Sequence, residues 1–466
     1  MYGTNSKSQD VARHDEKQSS RIAGWLLRLG AFLEVGCWWL VIFFGPIPLF
    51  GQDILGEPDE QIIHYQATVG LTDPVSLLQQ RLAKGEARLS FEPGHGYLRS
   101  LLHELHVPVS SQGLVFSKTS EQEANTSPQT PRAIYFADNV SVGWVPGGPD
   151  IDVASVDPTR GPIFYKLAQN PLAPPKFTRS SDCLRCHLGN KTLNVPGLLV
   201  RSVYTAADGA PLAKVDGFVS GHNSPLAKRW GGWFVTGTHA GDVHLGNLFS
   251  TDMDHPEMLD VSTGGNIINL SNHCDLSTYL SPHSDIVALL VLEHQVRMQN
   301  LLTLANYETR YALAEQTAAS NTNAAKYPAP NAPEWTQQRI TLAGEKLLEY
   351  MLFRDEAELK GTVKGTSGFS EEFQKAEPVD SKGRSLRQFD LKKRLFRFPC
   401  SFLIYSPAFD ALPQQMKNYL WQRLTQILTG ADHSPTYASI SPDDRQAVLE
   451  ILLDTKHDFA GCFRRN

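Results

Sequence analysis

The chain has 466 residues, 41% of them hydrophobic, enough for one large domain or two or three of ordinary size. Its 43 Lys and Arg against 49 Asp and Glu leave a net charge of −6. With no basic block and no interleaving of basic and aromatic residues, nucleic acid is excluded as an expected partner.

Lys7, Arg13, Lys17, Arg21 and Arg28 precede the apolar run LGAFLEVGCWWLVIFFGPIPLFGQD. A basic lead followed by such a run predicts a signal peptide over residues 1–51 with cleavage after Gly51, although Glu34 and the long polar lead depart from that pattern. The alternative is an uncleaved membrane anchor, because residues 29–50 approach the roughly 20 residues that a bilayer requires. Either version places the remainder in the periplasm or on the extracytoplasmic face of the membrane.

Residues 52–112 read as a helical region: DEQIIHYQ, then DPVSLLQQRLAKG opened by Asp73 and Pro74, then GYLRSLLHELHVP. From residue 113 the character changes. GLVFSKTS and PRAIYFADNVSVGWVPGG carry short β-branched and aromatic runs, with turns expected at Asp138-Asn139 and Pro146-Gly147-Gly148. Lys118, Arg132, Tyr135 and Trp144 are candidates to edge a cofactor pocket, or are ordinary strand and loop residues.

DPTRGPIFYKLAQNP leads to TRSSDCLRCHLGNKTLNVPG, at whose centre stands Cys183-Leu184-Arg185-Cys186-His187. Two thiols at i and i+3 with histidine directly after them form the covalent haem c attachment pattern, in which each thiol adds to a vinyl group and the imidazole takes an axial position on iron. Rival readings are a disulfide or half of a zinc site completed by His273 and Cys274. If the leader is removed, five of the six cysteines remain, and Cys274, Cys400 and Cys462 allow at most one further intrachain disulfide. No second CxxCH occurs, so one covalent haem is expected.

The stretch SGHNSPLAKRWGGWFVTGTHAGDVHLGNLFS follows. Its glycines let backbone pass close to a cofactor or turn with positive φ. His222 and His239 are the leading candidates for a sixth iron ligand or a distal acid/base residue, with His244 beside them. Arg229, Trp230 and Trp233 are expected against the haem, Arg229 also as a cation for developing negative charge. Near Asp285 a long helix begins, with Ser281, Pro282 and Ser284 at its start. His294 and Met298 share a face of it at i,i+4 spacing, and either is a candidate axial ligand. The haem-binding domain is thus expected over 113–320, a linker over 321–335, and a C-terminal helical domain over 336–466. Within that last domain, Lys382, Arg384, Arg387 and the run Lys392, Lys393, Arg394, Arg397 read as a solvated face or a dock for an anion or acidic partner. Ser441 and Asp443 stand in capping positions before a closing amphipathic helix.

CLRCH resembles the c-type cytochromes, and FPCSFLIYSPAFDALP with the segments after it resembles the closing helices of bacterial cytochrome c-like enzymes, peroxidase-type ones included. The first resemblance implies Cys183 and Cys186 as thioether residues and His187 as proximal ligand. The expected fold is mainly α with a smaller irregular or β portion around the haem, a cytochrome c-like region embedded in a larger helical protein. The expected function is a mono-haem c oxidoreductase acting on peroxide or a small nitrogen or sulfur oxide, served by a redox partner protein or a small-molecule electron donor or acceptor. The alternatives are an electron-transfer subunit with six-coordinate haem and a haem-based sensor.

Overall fold

The computed structural model describes residues 57–464 except 216 and 322–331. The expected leader or anchor at 1–51 and most of the expected linker at 321–335 lie outside the described residues. Among the described residues, no helix is long and apolar enough to cross a membrane.

Three helices open this part of the chain: α1 (Glu57–Ile63), α2 (Pro74–Lys84) and α3 (Leu98–Glu104). α2 starts where Asp73 Oδ1 accepts from the backbone N–H groups of Val75 and Ser76, and it ends at Gly85, whose φ of 73° suits glycine. The strands follow as β1 (Gly113–Val115), β2 (Arg132–Ala137), β3 (Val140–Trp144), β4 (Asp150–Asp157), β5 (Gly161–Ala168) and β6 (Phe177–Arg179). After them come one helical turn, α4 (Leu184–His187), and the short strands β7 (Arg201–Ser202), β8 (Phe218–Val219) and β9 (Trp233–Phe234).

These strands build a seven-stranded antiparallel sheet in the order β6-β5-β4-β3-β2-β1-β9, while β7 and β8 pair separately. This corrects the expectation of a mainly α protein with a cytochrome c-like helical haem region: the CxxCH motif follows the last strand of a large meander. The two longest strands, β4 and β5, escaped the sequence reading. In DIDVASVD, burial alternates through Ile151 and Val153, the period of a strand with one covered face. In GPIFYKLA, Gly161 and Pro162 look like a break, yet they sit at the strand start, where a missing donor is tolerated.

One sheet face is closed by α2. Val75 donates its backbone N–H to Ser155 Oγ at 3.1 Å, and the Tyr165 hydroxyl donates to Asp73 Oδ2 at 2.9 Å. The other face is crossed by α5 (Ile286–Asn321). Its cap is Asp285, whose Oδ1 accepts from Val287 N at 2.8 Å. Gln295 Nε2 then donates to the Ala137 carbonyl at the β2–β3 turn, 2.7 Å away. That turn spans Asp138 and Asn139, as the sequence predicts.

The remainder is helical: α6 (Ala332–Met351), α7 (Phe369–Phe373), α8 (Pro407–Asp410), α9 (Gln414–Leu428), α10 (Pro442–Thr455) and α11 (His457–Phe463). α5 packs along α6, and α9 packs on both. α10 is capped by Ser441, as its sequence predicts. Of the basic residues singled out between α7 and α10, Lys392, Lys393 and Arg397 are exposed, while three arginines turn to carboxylates. Arg384 meets Asp380 and Glu450, Arg394 meets Asp444, and Arg387 meets Asp138 of the β2–β3 turn.

Candidate functional site

Cys183 caps α4, and the N–H groups of Cys186 and His187 both donate to its carbonyl, at 3.2 and 3.0 Å. Positions i+3 and i+4 return to one face of a helix, so this single turn gathers both thiols and the imidazole on one side. Leu184 points the other way into the core and anchors the turn. Both thiols are unpaired, Cys183 half-buried and Cys186 exposed, and burial pushes the Cys183 thiol up. All three motif residues line one cavity of about 770 Å³, a size in the range of ligand sites.

The cavity floor is the face of the sheet that α2 leaves free. Antiparallel register aligns Phe136, Ser141, Ala154 and Phe164 in one row across four strands, and Ile134, Gly143 and Asp152 in the next. Small side chains at 141, 143 and 154 keep the middle of this floor low. Leu292 and Val296 of α5 form one wall, and Trp233 of β9 closes an end, its indole N–H donating to the Arg201 carbonyl at 2.8 Å.

His187 is fixed by two contacts. Its ring lies 4.8 Å from the Phe164 ring, and its Nδ1 is 2.8 Å from the Gly197 carbonyl oxygen. A carbonyl only accepts, so the proton sits on Nδ1, and the lone pair of Nε2 is left without a protein partner. Burial lowers the imidazole's affinity for a second proton, which keeps it neutral.

One charged cluster stands on the floor. Arg132 Nη2 meets Asp152 Oδ2 at 2.8 Å, and Gln122 Nε2 donates to the same oxygen at 2.7 Å. The guanidinium lies flat over Gly143: a Cβ there would come within 2.2 Å of Nη2 and 2.7 Å of Cζ. Arg132 Nε and Asp152 Oδ1 are buried without partners.

These observations fit a covalently held haem. Two free thiols stand at the attachment spacing, a neutral imidazole presents Nε2, and a broad apolar floor with low side chains lies beside them. The zinc and disulfide readings find less. Among the described residues, no group of three or more His, Cys, Asp and Glu converges to hold a metal ion, and Cys274 is buried and unpaired with its thiol pushed up to about 11 by burial. A second groove of about 800 Å³, between α2 and residues 171–176, has no Cys, His, Asp or Glu in its lining.

Trp233 is the one member of the glycine-aromatic stretch singled out above that lines the cavity. His222, Arg229, Trp230, His239, His294 and Met298 are absent from its lining. On α5 the reason is angular: Leu292 and Val296 face the cavity, and at 100° per residue His294 and Met298 fall on the far side. There His294 Nδ1 is 2.8 Å from His222 Nδ1, and His294 Nε2 is 2.8 Å from Ser401 Oγ. The Tyr350 ring stacks 3.8 Å from His222. Arg229 pairs with Glu293 at 2.8 Å, both side chains at 2% exposure or less, and donates to the carbonyls of His222 and Ser224. Met298 is fully buried in the core. His239 and His244 pack edge to face, centroids 5.1 Å apart, in the loop after β9.

Sequence reasoning passed over Asp152, Phe164, Gly143 and Gly197 as parts of the site. Asp152 and Phe164 were hidden because their strands were. Comparison with protein-family models, with curated proteins and with solved structures finds no match to this chain.

Proposed function

We propose that this chain is a mono-haem c redox enzyme, with haem joined to Cys183 and Cys186 and bound by His187. The observation that carries the reading is the cavity: it contains the CxxCH motif and a free Nε2, and among the described residues no second imidazole and no thioether lines it. A six-coordinate carrier would need such a group, and His222, His294 and Met298 lie buried away from this cavity. When bound, haem supplies one-electron chemistry and a coordination position for a small ligand.

The chain's own residues do the rest. His187 holds its proton on Nδ1 against Gly197 and offers Nε2. Ile134, Phe164, Leu292 and Val296 supply apolar surface that excludes water from the macrocycle. Arg132 and Asp152 set a hydrogen-bond donor and an acceptor on the sheet face of the cavity, which suits a small oxidised substrate such as peroxide or a nitrogen or sulfur oxide. Attachment of this kind fits the extracytoplasmic placement that the N-terminal sequence suggests, and electrons would come from a redox partner protein or a small donor.

The test is expression with a haem c attachment system, followed by haem staining after denaturing electrophoresis and EPR of the oxidised protein. Haem that stays with the denatured chain, together with a high-spin signal and binding of cyanide or nitrite, is expected. A chain that takes up no covalent haem overturns the reading, and a low-spin signal that added ligands do not alter transfers the protein to electron carriage.

A further inference from the structure

His187 is held, through Gly197 and Leu198, by a side chain 113 positions further along the chain. Gly197 and His187 bond in both directions: the Gly197 N–H donates to the His187 carbonyl at 2.9 Å, and the Gly197 carbonyl accepts from His187 Nδ1 at 2.8 Å. The next residue, Leu198, is gripped by a side chain of α5. Asn300 Oδ1 accepts from Leu198 N–H and Asn300 Nδ2 donates to the Leu198 carbonyl, both at 2.8 Å. Asn300 is 1% exposed, so neither bond competes with water. It behaves as a strand neighbour would, fixing both polar groups of one residue with one planar amide.

The packing leaves no slack at this point. A Cβ on Gly197 would come within 2.7 Å of Asn300 Oδ1 and 2.9 Å of the Thr192 Cβ. Only glycine lets the loop lie this close to α5, and that closeness aims the Gly197 carbonyl at the imidazole. Along α5, Asn300 stands one turn beyond Val296, which lines the cavity, so the helix that walls the site also sets its axial group.

We infer that Asn300 is a positioning residue for His187: it sets the strength of the Nδ1–H···O=C bond and through it the electron donation of Nε2 to a bound metal. A firm bond gives the imidazole anionic character and favours the oxidised metal; a slack bond does the reverse. This rests on the haem reading above, and the experiment separates the two. The midpoint potential and the iron–histidine stretching frequency of the reduced protein are measured for the haem-loaded full chain, for Asn300→Leu and for Asn300→Asp, with thermal melts of each.

Asn300→Leu is expected to raise the potential and lower the stretching frequency with haem still attached. Asn300→Asp keeps the acceptor for Leu198 N–H and loses the donor, and should fall between Asn300→Leu and the parent. If Asn300→Leu does not fold, the direction of the shift in Asn300→Asp decides. A lowered melting temperature with both signatures at their parental values would make Asn300 merely structural and overturn the inference. Failure of the parent chain to bind haem at all would instead overturn the haem reading.

Discussion

Helix α5 separates two regions that read alike in sequence and differ in access. On one side, Leu292 and Val296 wall a cavity in which His187 keeps a free Nε2 beside two free thiols. On the other, His222, His294, Arg229 and Glu293 form a buried polar cluster in which His222 meets His294 and Arg229 meets Glu293, none of them on the cavity, with His222 Nε2 and Glu293 Oε1 left buried without partners. Residue type cannot tell them apart: the second region has more histidine and more aromatic stacking than the first. What separates them is whether the histidine lines the cavity or is sealed within the core.

Removing the thiols tests the open side most severely. With Cys183→Ala and Cys186→Ala together, covalent haem should vanish completely from the denatured chain, while the melting behaviour of the haem-free protein stays close to parental, because Cys186 is exposed and Cys183 half-buried. Haem that remained attached to the double variant would place the attachment elsewhere and dissolve the contrast.

The closed side should answer with stability instead. Arg229→Met leaves Glu293 and the carbonyls of His222 and Ser224 buried without their cation, and breaking a buried pair in this way costs about 3–5 kcal/mol. Burial already pushes the Glu293 carboxyl up to about 7, with Arg229 opposing, so loss of the guanidinium should protonate it. Denaturant melts of the variant check the size. A shift below 1 kcal/mol, or an altered haem spectrum in a protein of parental stability, would mean that this cluster belongs to the site.

Acid should separate the regions as well. Burial pushes His294 down to about 3 from an ordinary 6.5, and His222 moves in the same direction for the same reason, with His294 and Arg229 adding to it. The unfolded chain then binds protons that the folded chain refuses, so stability is full above about pH 6.5 and falls as pH drops toward 3. One such histidine contributes about 1.4 kcal/mol per pH unit in that window, roughly 2 kcal/mol between pH 6.5 and 5. Urea melts at several pH values should show the slope shallower by one proton in His294→Gln. A slope unchanged by that substitution would assign the acid lability to other histidines.

Much of this was legible in the chain, and the exceptions have physical causes. The attachment turn could be read because its chemistry is local: three residues within five positions, carried by one helical turn. The helix from Ile286 and the capped helix after Ser441 could be read because caps and apolar periodicity are also local. The sheet was half seen. β2 and β3 advertise themselves by a two-residue turn, whereas β4 and β5 hide behind aspartates and a proline. Those aspartates are the informative residues in retrospect: Asp152 sits on the cavity floor and Asp157 turns the chain between the strands by accepting from Thr159 and Arg160 N–H groups. Asn300 and Gly197, 103 positions apart, could not be paired without the fold. The histidines of the glycine-aromatic stretch misled because an imidazole buried away from the cavity and one that lines it are the same letter.

The finest test of the contrast concerns Arg132, the one cation of the cavity floor whose guanidinium lies flat on the sheet. Its position depends on Gly143, since any side chain there would collide with Cζ and Nη2. Arg132→Met should leave haem attachment complete and weaken the binding of an anionic ligand such as nitrite about tenfold, the size of one hydrogen bond to a charged group. Gly143→Ala should reproduce part of that loss with the arginine still present, by lifting the guanidinium off the floor. Equal weakening of a neutral ligand such as carbon monoxide would trace the effect to collapse of the floor. Selective weakening of the anion would show that the open side of α5 differs from the closed side in a second way: its arginine lines the cavity, where an added anion can reach it, and Arg229 behind the helix is sealed in the core against Glu293 and two carbonyls.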